Sequence, residues 1–191
     1  HQFKNGESLR SYLLERLHSE NEDSKERVLD YTSARFNREK SDFFRLCGGS
    51  LGGKARGLGF ARSMLKSSGI QKKFNEINIR VPRCAVIGTD EFDRFMKDND
   101  LWDIALGDIN DNDLVKKFIK ARLSIDLILR LESFIKENNY PLAVRSSSLL
   151  EDSQYQPLAG TYETYMLSNN SRSDKKRLKE LTIAIKKVFA S

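Results

Sequence analysis

The sequence predicts an α+β fold, in which helices and short strands are mixed along one chain. Apolar residues recur at helical spacing over the long segment 111–137, whereas segments 76–81 and 84–88 are short and rich in β-branched residues. A glycine-rich stretch lies before both. With 191 residues, 39% of them hydrophobic and 31% charged, the chain suits one soluble globular domain rather than a disordered protein.

Composition excludes several classes of function. Cys47 and Cys84 form neither a Cys-x-x-Cys pair nor a cluster with zinc spacing, and they read as small buried hydrophobes. His1 and His18 are the only histidines, so we expect no histidine triad and no metal site. No apolar run is long enough to span a membrane and no signal core is present, so we expect a cytoplasmic protein without a membrane partner.

The charge of the chain admits an anionic partner but does not identify it. The net charge is +6 and the pI is about 9.3, values that would suit a nucleotide, a nucleic acid or an acidic protein surface. The basic residues are scattered along helical faces, and the sequence contains no basic strand face with interleaved aromatic residues. We therefore expect no nucleic acid partner.

The first 45 residues predict a helical lead-in, or a linker from an upstream region. Segments Ser8–His18 and Ser24–Arg38 each carry an apolar stripe at helical spacing, with a polar break between them. We divide the chain accordingly into a lead-in, residues 1–45, and a main domain, residues 46–191.

The main domain opens on a glycine-rich turn that leads into a helix. Six glycines lie between Gly48 and Gly59, and a helix is predicted over 61–67. Strands over 76–81 and 84–88 come next, separated by Pro82, and Thr89 is a candidate N-cap for a helix over 90–97.

The second half of the domain alternates in the same way. The apolar spacing of 111–137 predicts one long helix or two shorter ones, followed by a strand over 142–146. Residues 147–157 predict a polar loop and 161–167 a second strand. Ser173 is expected to cap a final helix.

The glycine-rich stretch nearly matches a phosphate-binding P-loop. Gly48, Gly53 and Lys54 stand at the required spacing, but Ala55 occupies the position where a Ser or Thr hydroxyl binds Mg²⁺. The preceding segment Phe43–Cys47 also reads as a poor central strand. Two interpretations stay open: an anion site built from glycine N–H groups, a helix N-terminus and Lys54, or a tight turn whose lysine points to water.

A second segment, residues 141–167, also suits an anion. Arg145 stands at a strand end before three consecutive serines, and its guanidinium can bind phosphate oxygens in a fork. The serine hydroxyls and a close approach at Gly160 could add to this site. The alternative is an ion pair of Arg145 with Glu151 or Asp152 across a hairpin.

These two segments together resemble the nucleotide-binding domain of phosphoenolpyruvate synthase and pyruvate phosphate dikinase. The resemblance covers about residues 47–167, and its motifs occur in the family's order. They are Gly52-Gly53-Lys54, Val81-Pro82 with the strand that follows, Ala143-Val144-Arg145-Ser146-Ser147, Glu151-Asp152, Ala159-Gly160 and Glu163-Thr164.

The resemblance implies an ATP-grasp-like fold, of which this chain would hold the N-terminal part. It implies that Lys54 and Arg145 contact ATP phosphates and that the loop from Arg145 to Gly160 closes over them. The residues expected to bind ATP are Gly53, Lys54, Arg145, Ser146, Ser147, Gly160 and Thr161. The Mg²⁺ ligands are expected outside this segment, and no catalytic residue is assigned within it.

The chain departs from the family pattern at several positions. Arg56 and Gly57 alter the surroundings of the lysine, Arg83 follows Pro82 where a small residue is common, and Leu158 and Thr161 replace an aromatic residue and a glutamine. These departures bear on the details of the phosphate loop and on substrate preference.

The function implied is the ATP-binding part of a phosphotransferase of this family, with the remaining domains of the parent chain as partners. We expect this segment to be truncated and inactive alone, because the family also needs a phosphohistidine domain and an acceptor domain. The phosphoryl acceptor is not encoded here. The alternative is a non-catalytic nucleotide-sensing or interaction module that uses the same half-fold.

Overall fold

The computed structural model describes residues 29–30, 43–74, 76–148 and 162–191, and it has the mixed α/β character that the sequence predicts. No helix within these ranges is long and apolar enough to cross a membrane. The elements are β1 (Leu29–Asp30), β2 (Phe43–Arg45), α1 (Gly52–Ser68), α2 (Ile70–Lys73), β3 (Cys84–Val86), α3 (Thr89–Asp98), α4 (Trp102–Ala105), α5 (Asp111–Lys120), α6 (Ile125–Glu137), β4 (Leu142–Arg145), β5 (Thr164–Leu167) and α7 (Asp174–Ala190).

A parallel sheet in the order β1-β2-β3 positions the glycine-rich loop. Its central strand is β2, whose Phe43 aligns with Cys84 of β3, and whose Phe44 aligns with Leu29 of β1. A central parallel strand is covered on both faces and therefore needs consecutive apolar residues. Phe43 and Phe44 meet that need, with only 0% and 2% of their surfaces exposed. The interpretation of 43–47 as a poor central strand was wrong.

The lead-in also differs from expectation. The helix predicted over 24–38 is wrong at Leu29–Asp30, which is a strand paired with β2. Backbone pairing with a distant strand decided this, and the spacing of apolar side chains along one segment does not report such pairing. The other residues of both predicted lead-in helices lie outside the described ranges, so the domain division at residue 45 stays a prediction.

The second sheet is an antiparallel ribbon of β4 and β5. Arg145 is opposite Thr164, and Leu142 is opposite Leu167, so the pairing runs the full length of both strands. Leu142, Val144 and Leu167 are partly buried and pack against the core, while α7 packs across the ribbon. The strands predicted over 142–146 and 161–167 are thus confirmed, and they span Leu142–Arg145 and Thr164–Leu167.

The hydrophobic core joins the sheets to helices α3, α5, α6 and α7. Aromatic rings meet at its centre, with the Phe95 ring centroid 5.6 Å from that of Phe118 and 5.3 Å from that of Phe189. The side chains that fill the core are Phe44, Leu46, Phe95, Met96, Leu101, Phe118, Leu123, Leu127, Leu131, Phe134, Ile135, Leu181 and Ile185.

Side-chain caps set several helix boundaries. The segment 111–137 forms two helices, because Ser124 starts α6 by accepting a hydrogen bond from the backbone of Leu127. Ser173 caps α7 as predicted. Thr89 is the first residue of α3 rather than its cap, and the cap position is taken by Gly88.

One predicted strand is absent. Residues 77–83 carry no regular secondary structure, although their composition favours a strand. In the described part of the chain these residues pair with no strand, and a favourable composition without pairing does not make one.

A buried polar cluster ties the end of α6 to the start of α7. The carbonyl oxygen of Asn138 accepts from Asn169 Nδ2 and from Arg177 Nη1, each at 2.9 Å. Asn169 also donates to the carbonyl of Tyr140, at 2.9 Å. Arg177 is held in turn by Asp174, with 2.6 Å between Nη2 and Oδ1. These bonds fix the loop between β5 and α7.

Replacing Asn169 tests this cluster. Asn169 has a φ of +49°, where asparagine is tolerated better than alanine. Asn169→Ala is expected to lower the free energy of unfolding by about 2–3 kcal/mol, from two lost hydrogen bonds and backbone strain. Asn169→Gly should lose less, since it removes the bonds without the strain. Urea denaturation measures both, with the exposed Asn170→Ala as control; equal stability of Asn169→Ala and Asn170→Ala would contradict this account.

Candidate functional site

Two helix N-termini meet at one edge of the parallel sheet. Strand β2 leads through residues 46–51 into α1, and β3 leads through Ile87 and Gly88 into α3. Parallel strands end at the same edge, and the two exits are joined there by a hydrogen bond of 2.7 Å from Leu46 N to Val86 O. The edge of a parallel sheet where such loops meet is the usual place for a ligand.

The glycine-rich loop is held against the start of α3. Ser50 N donates to Thr89 Oγ1 at 2.9 Å, and Thr89 N donates to Ser50 O at 3.1 Å. Gly49 has a φ of +93°, and a Cβ there would lie 2.5 Å from the backbone nitrogen of Asp90. Glycine is required at this position by both conformation and space.

The same loop is held on its other side by Ser147. Gly53 N donates to the Ser147 carbonyl at 2.9 Å, and Ala55 N donates to the Ser147 hydroxyl at 2.9 Å. That hydroxyl donates in turn to Leu51 O at 2.8 Å. Gly52 has a φ of +74°, and a Cβ there would overlap the Ser147 carbonyl oxygen. The two segments singled out in the sequence therefore meet in the fold.

The remaining predicted residues are placed around this contact. Lys54 lies in the first turn of α1 with its ammonium nitrogen buried, and Arg145 is the exposed last residue of β4. Ser146 Oγ accepts from Ser148 N at 3.0 Å. Gly160 and Thr161 lie outside the described residues, as do both carboxylates of the alternative ion pair with Arg145. The structure brings Gly53 and Lys54 beside the serines that follow Arg145.

Sequence reasoning missed the contribution of α3 to this edge. Thr89 anchors the loop through Ser50, and Arg56 Nη2 donates to Ser50 Oγ at 2.9 Å. A usable signal was present in the sequence: a hydrophobic strand over 84–88 followed at once by a helix start is the same arrangement as the glycine-rich segment itself. Two such units with parallel strands bring their helix N-termini together.

The structure has the order of elements that a P-loop requires, but it lacks the hydroxyl that a P-loop uses to bind Mg²⁺. A central parallel strand, a glycine-rich loop and a helix do follow one another here. Ala55 still lacks the hydroxyl that a P-loop uses for Mg²⁺, and its N–H donates to Ser147. Gly49 and Gly52 also have packing roles of their own, as the turn interpretation expected.

The neighbouring thiols are poor nucleophiles. Burial raises the pKa of the Cys47 thiol to about 11, with the Glu91 carboxylate adding to the effect. Burial also raises the pKa of Cys84. Both thiols are therefore protonated at neutral pH, and the thiolate is the reactive form.

The comparisons with known proteins identify the family of the chain. Residues 49–191 match the family described as pyruvate phosphate dikinase, AMP/ATP-binding domain. The chain belongs to this family. Neither the curated proteins nor the solved structures compared gave a match.

The family match confirms the resemblance on which the site was predicted. It begins at Gly49, inside the glycine-rich loop, and it continues past β4 and β5 to the end of α7. Both segments that meet at Ser147 are thus inside the pyruvate phosphate dikinase AMP/ATP-binding domain. Among the residues described, no group of three or more His, Cys, Asp or Glu side chains is placed to hold a metal ion.

Exchanging glycines of α1 tests the close approach to Ser147. Gly52→Ala is expected to lower the free energy of unfolding by roughly 1–3 kcal/mol or more, because the methyl group meets backbone and the conformation is left-handed. Gly57→Ala is the matched control, since a Cβ at this helical position meets nothing within 4 Å. It should raise stability by about 0.5–1 kcal/mol. Equal urea midpoints for the two variants would show that the contact with Ser147 is not tight.

Proposed function

We propose that this chain is the nucleotide-binding part of an ATP-dependent phosphotransferase of the phosphoenolpyruvate synthase and pyruvate phosphate dikinase type, with an ATP-grasp-like fold. The family match supports ATP or AMP as the ligand. The observation that carries the proposal is the contact of Gly53 N with Ser147 O, because it brings the Lys54 turn of α1 to the end of the Arg145 strand.

Lys54 and Arg145 supply complementary cations for the phosphates. Lysine offers a compact charge, here on a nitrogen buried beside the glycine-rich loop. Arginine offers a planar fork that matches two phosphate oxygens, and Arg145 is exposed where β4 ends. We place Gly53 and Ser146 beside these two side chains at the same site, and we assign Gly160 and Thr161 to it on the family resemblance alone.

The donor set at this edge fits a phosphate chain with one restriction. The amides of Gly53 and Ala55 already donate to Ser147, so in this arrangement they do not reach a ligand. The phosphates would then meet side chains: first that of the exposed Arg145, and behind it that of Lys54, whose ammonium nitrogen is buried. Mg²⁺ would accompany ATP through ligands outside this segment and would neutralise phosphate charge.

The contribution of this site to catalysis is positioning and charge stabilisation. Phosphoryl transfer needs the phosphates held in place and their developing charge neutralised, and fixed cations do both. Neither Lys54 nor Arg145 accepts a phosphoryl group in this scheme, so the acceptor binds to other parts of the parent protein. We propose a cytoplasmic location for the protein, as expected from its sequence.

Removing either cation tests the proposal. Lys54→Ala and Arg145→Ala are each expected to weaken ATP binding by roughly tenfold to a hundredfold, the worth of one charge-assisted hydrogen bond. Arg145→Lys should recover only part of the loss, because it keeps the charge without the fork. Isothermal titration with Mg²⁺ and ATP measures these affinities in the parent chain, extended through the remaining half of the grasp.

The matched control is Lys66→Ala, which removes an exposed lysine from the last turn of the same helix and should leave the affinity unchanged. If the wild type ignores ATP, or if both site variants bind it as tightly as Lys66→Ala does, the phosphate-binding role is refuted. A non-catalytic interaction module would then be the better account.

A second expectation concerns turnover. We expect the 191-residue chain alone not to hydrolyse ATP, because the cations proposed here hold phosphates but neither activate water nor receive a phosphoryl group. Release of inorganic phosphate measured over hours, with Lys54→Ala as the blank, tests this. Steady hydrolysis that Lys54→Ala abolishes would show that the chain carries catalytic groups of its own.

A further inference from the structure

The hydroxyl of Ser147 lies within the first turn of α1. In a regular α-helix the N–H of Ala55 would donate to the carbonyl of Leu51, four residues earlier. Here Ser147 Oγ accepts from Ala55 N at 2.9 Å and donates to Leu51 O at 2.8 Å, so it bridges the two groups. Leu51, at the cap position, provides no side-chain hydrogen bond itself. The cap of α1 thus comes from a residue more than 90 positions later in the chain.

We propose that Ser147 is a positioning residue, whose hydroxyl sets the spacing between the Lys54 turn of α1 and the Arg145 end of β4. This role rests on the proposed function, since it is the shared phosphate chain that makes the spacing matter. Ser147 is two residues beyond Arg145, and its bonds fall on Leu51, Gly53 and Ala55, on either side of Lys54.

This role replaces the direct contact with phosphate that the sequence suggested for Ser147. A serine hydroxyl has a single hydrogen to donate. Ser147 donates it to Leu51 O. Phosphate oxygens are acceptors and need donors, so the hydroxyl has nothing to offer them while this bond stands. Ser147 therefore acts on the nucleotide through the placement of Lys54 and Arg145.

The two hydrogen bonds of the Ser147 hydroxyl also predict what its removal would do. Ser147→Ala removes the two hydrogen bonds of the hydroxyl but keeps the backbone bond from Gly53 N to Ser147 O. Leu51 O and Ala55 N can then pair with each other as in an ordinary helix. The fold should therefore survive, while α1 and β4 lose a directional link. If α1 and β4 move relative to each other, Lys54 and Arg145 are held less well in position, and the affinity for ATP falls.

A double-mutant cycle tests the proposal in the full chain. Ser147→Ala should weaken ATP binding by about tenfold in the wild type, but by less than about twofold in a Lys54→Ala background, because positioning a missing lysine has no value. Hydrogen exchange without nucleotide gives a second readout. The amide of Gly53, whose bond to Ser147 O would then hold the two segments without help from the hydroxyl, should exchange faster in Ser147→Ala, while the amides of α6 stay unchanged.

The control variant is Ser124→Ala, which removes a helix cap of the same chemistry at α6. It should lower stability by about 0.5–2 kcal/mol and leave ATP affinity as it is. A Ser147→Ala affinity loss no larger than that of Ser124→Ala would overturn the positioning role, and so would a loss of equal size with and without Lys54. Unchanged exchange at Gly53 would also overturn it.

The two proposals fail in different ways. If Lys54→Ala binds ATP like the wild type, or if ATP does not bind at all, the phosphate site itself is wrong and the role of Ser147 falls with it. If Lys54→Ala weakens binding but Ser147→Ala does not, the site stands and only the positioning role is lost.

Discussion

Close backbone contact at one edge of the parallel sheet is the constraint on which the rest of the site depends. Gly52 lies so near the Ser147 carbonyl that a single added carbon would overlap it, and a carbon added at Gly49 would lie 2.5 Å from the Asp90 nitrogen at the start of α3. These contacts bring the glycine-rich loop, the N-terminus of α3 and the end of β4 together. Glycine is needed because no other residue leaves room for backbone on both sides of the loop.

A basic side chain is buried next to this contact. The amides of Gly53 and Ala55 donate to Ser147, so the cations that we propose for the phosphates are side chains, Lys54 with its buried nitrogen and Arg145 exposed at the end of β4. An anionic phosphate is the kind of ligand that both side chains bind. The membership of the chain in a family of AMP/ATP-binding domains is in keeping with such a ligand.

Expectations from the sequence failed where pairing between distant segments decided the structure. Leu29–Asp30 joins a sheet although its neighbours have helical spacing, and residues 77–83 form no strand although their composition favours one. The central position of β2 was missed for the same reason. The segment read as a poor central strand, yet β2 pairs with a strand on each side and its two phenylalanines are buried.

The sequence by itself determined the helices with strong periodicity, the cap at Ser173, the β4 and β5 strands and the family, because these depend on local spacing and on motifs in order. It also singled out Lys54 and Arg145 as candidate phosphate ligands. Only the tertiary structure decided that their segments meet, and that Ser147 binds α1. A hydroxyl can donate to a phosphate or to a carbonyl with equal ease, and only its position in the fold decides which group it reaches.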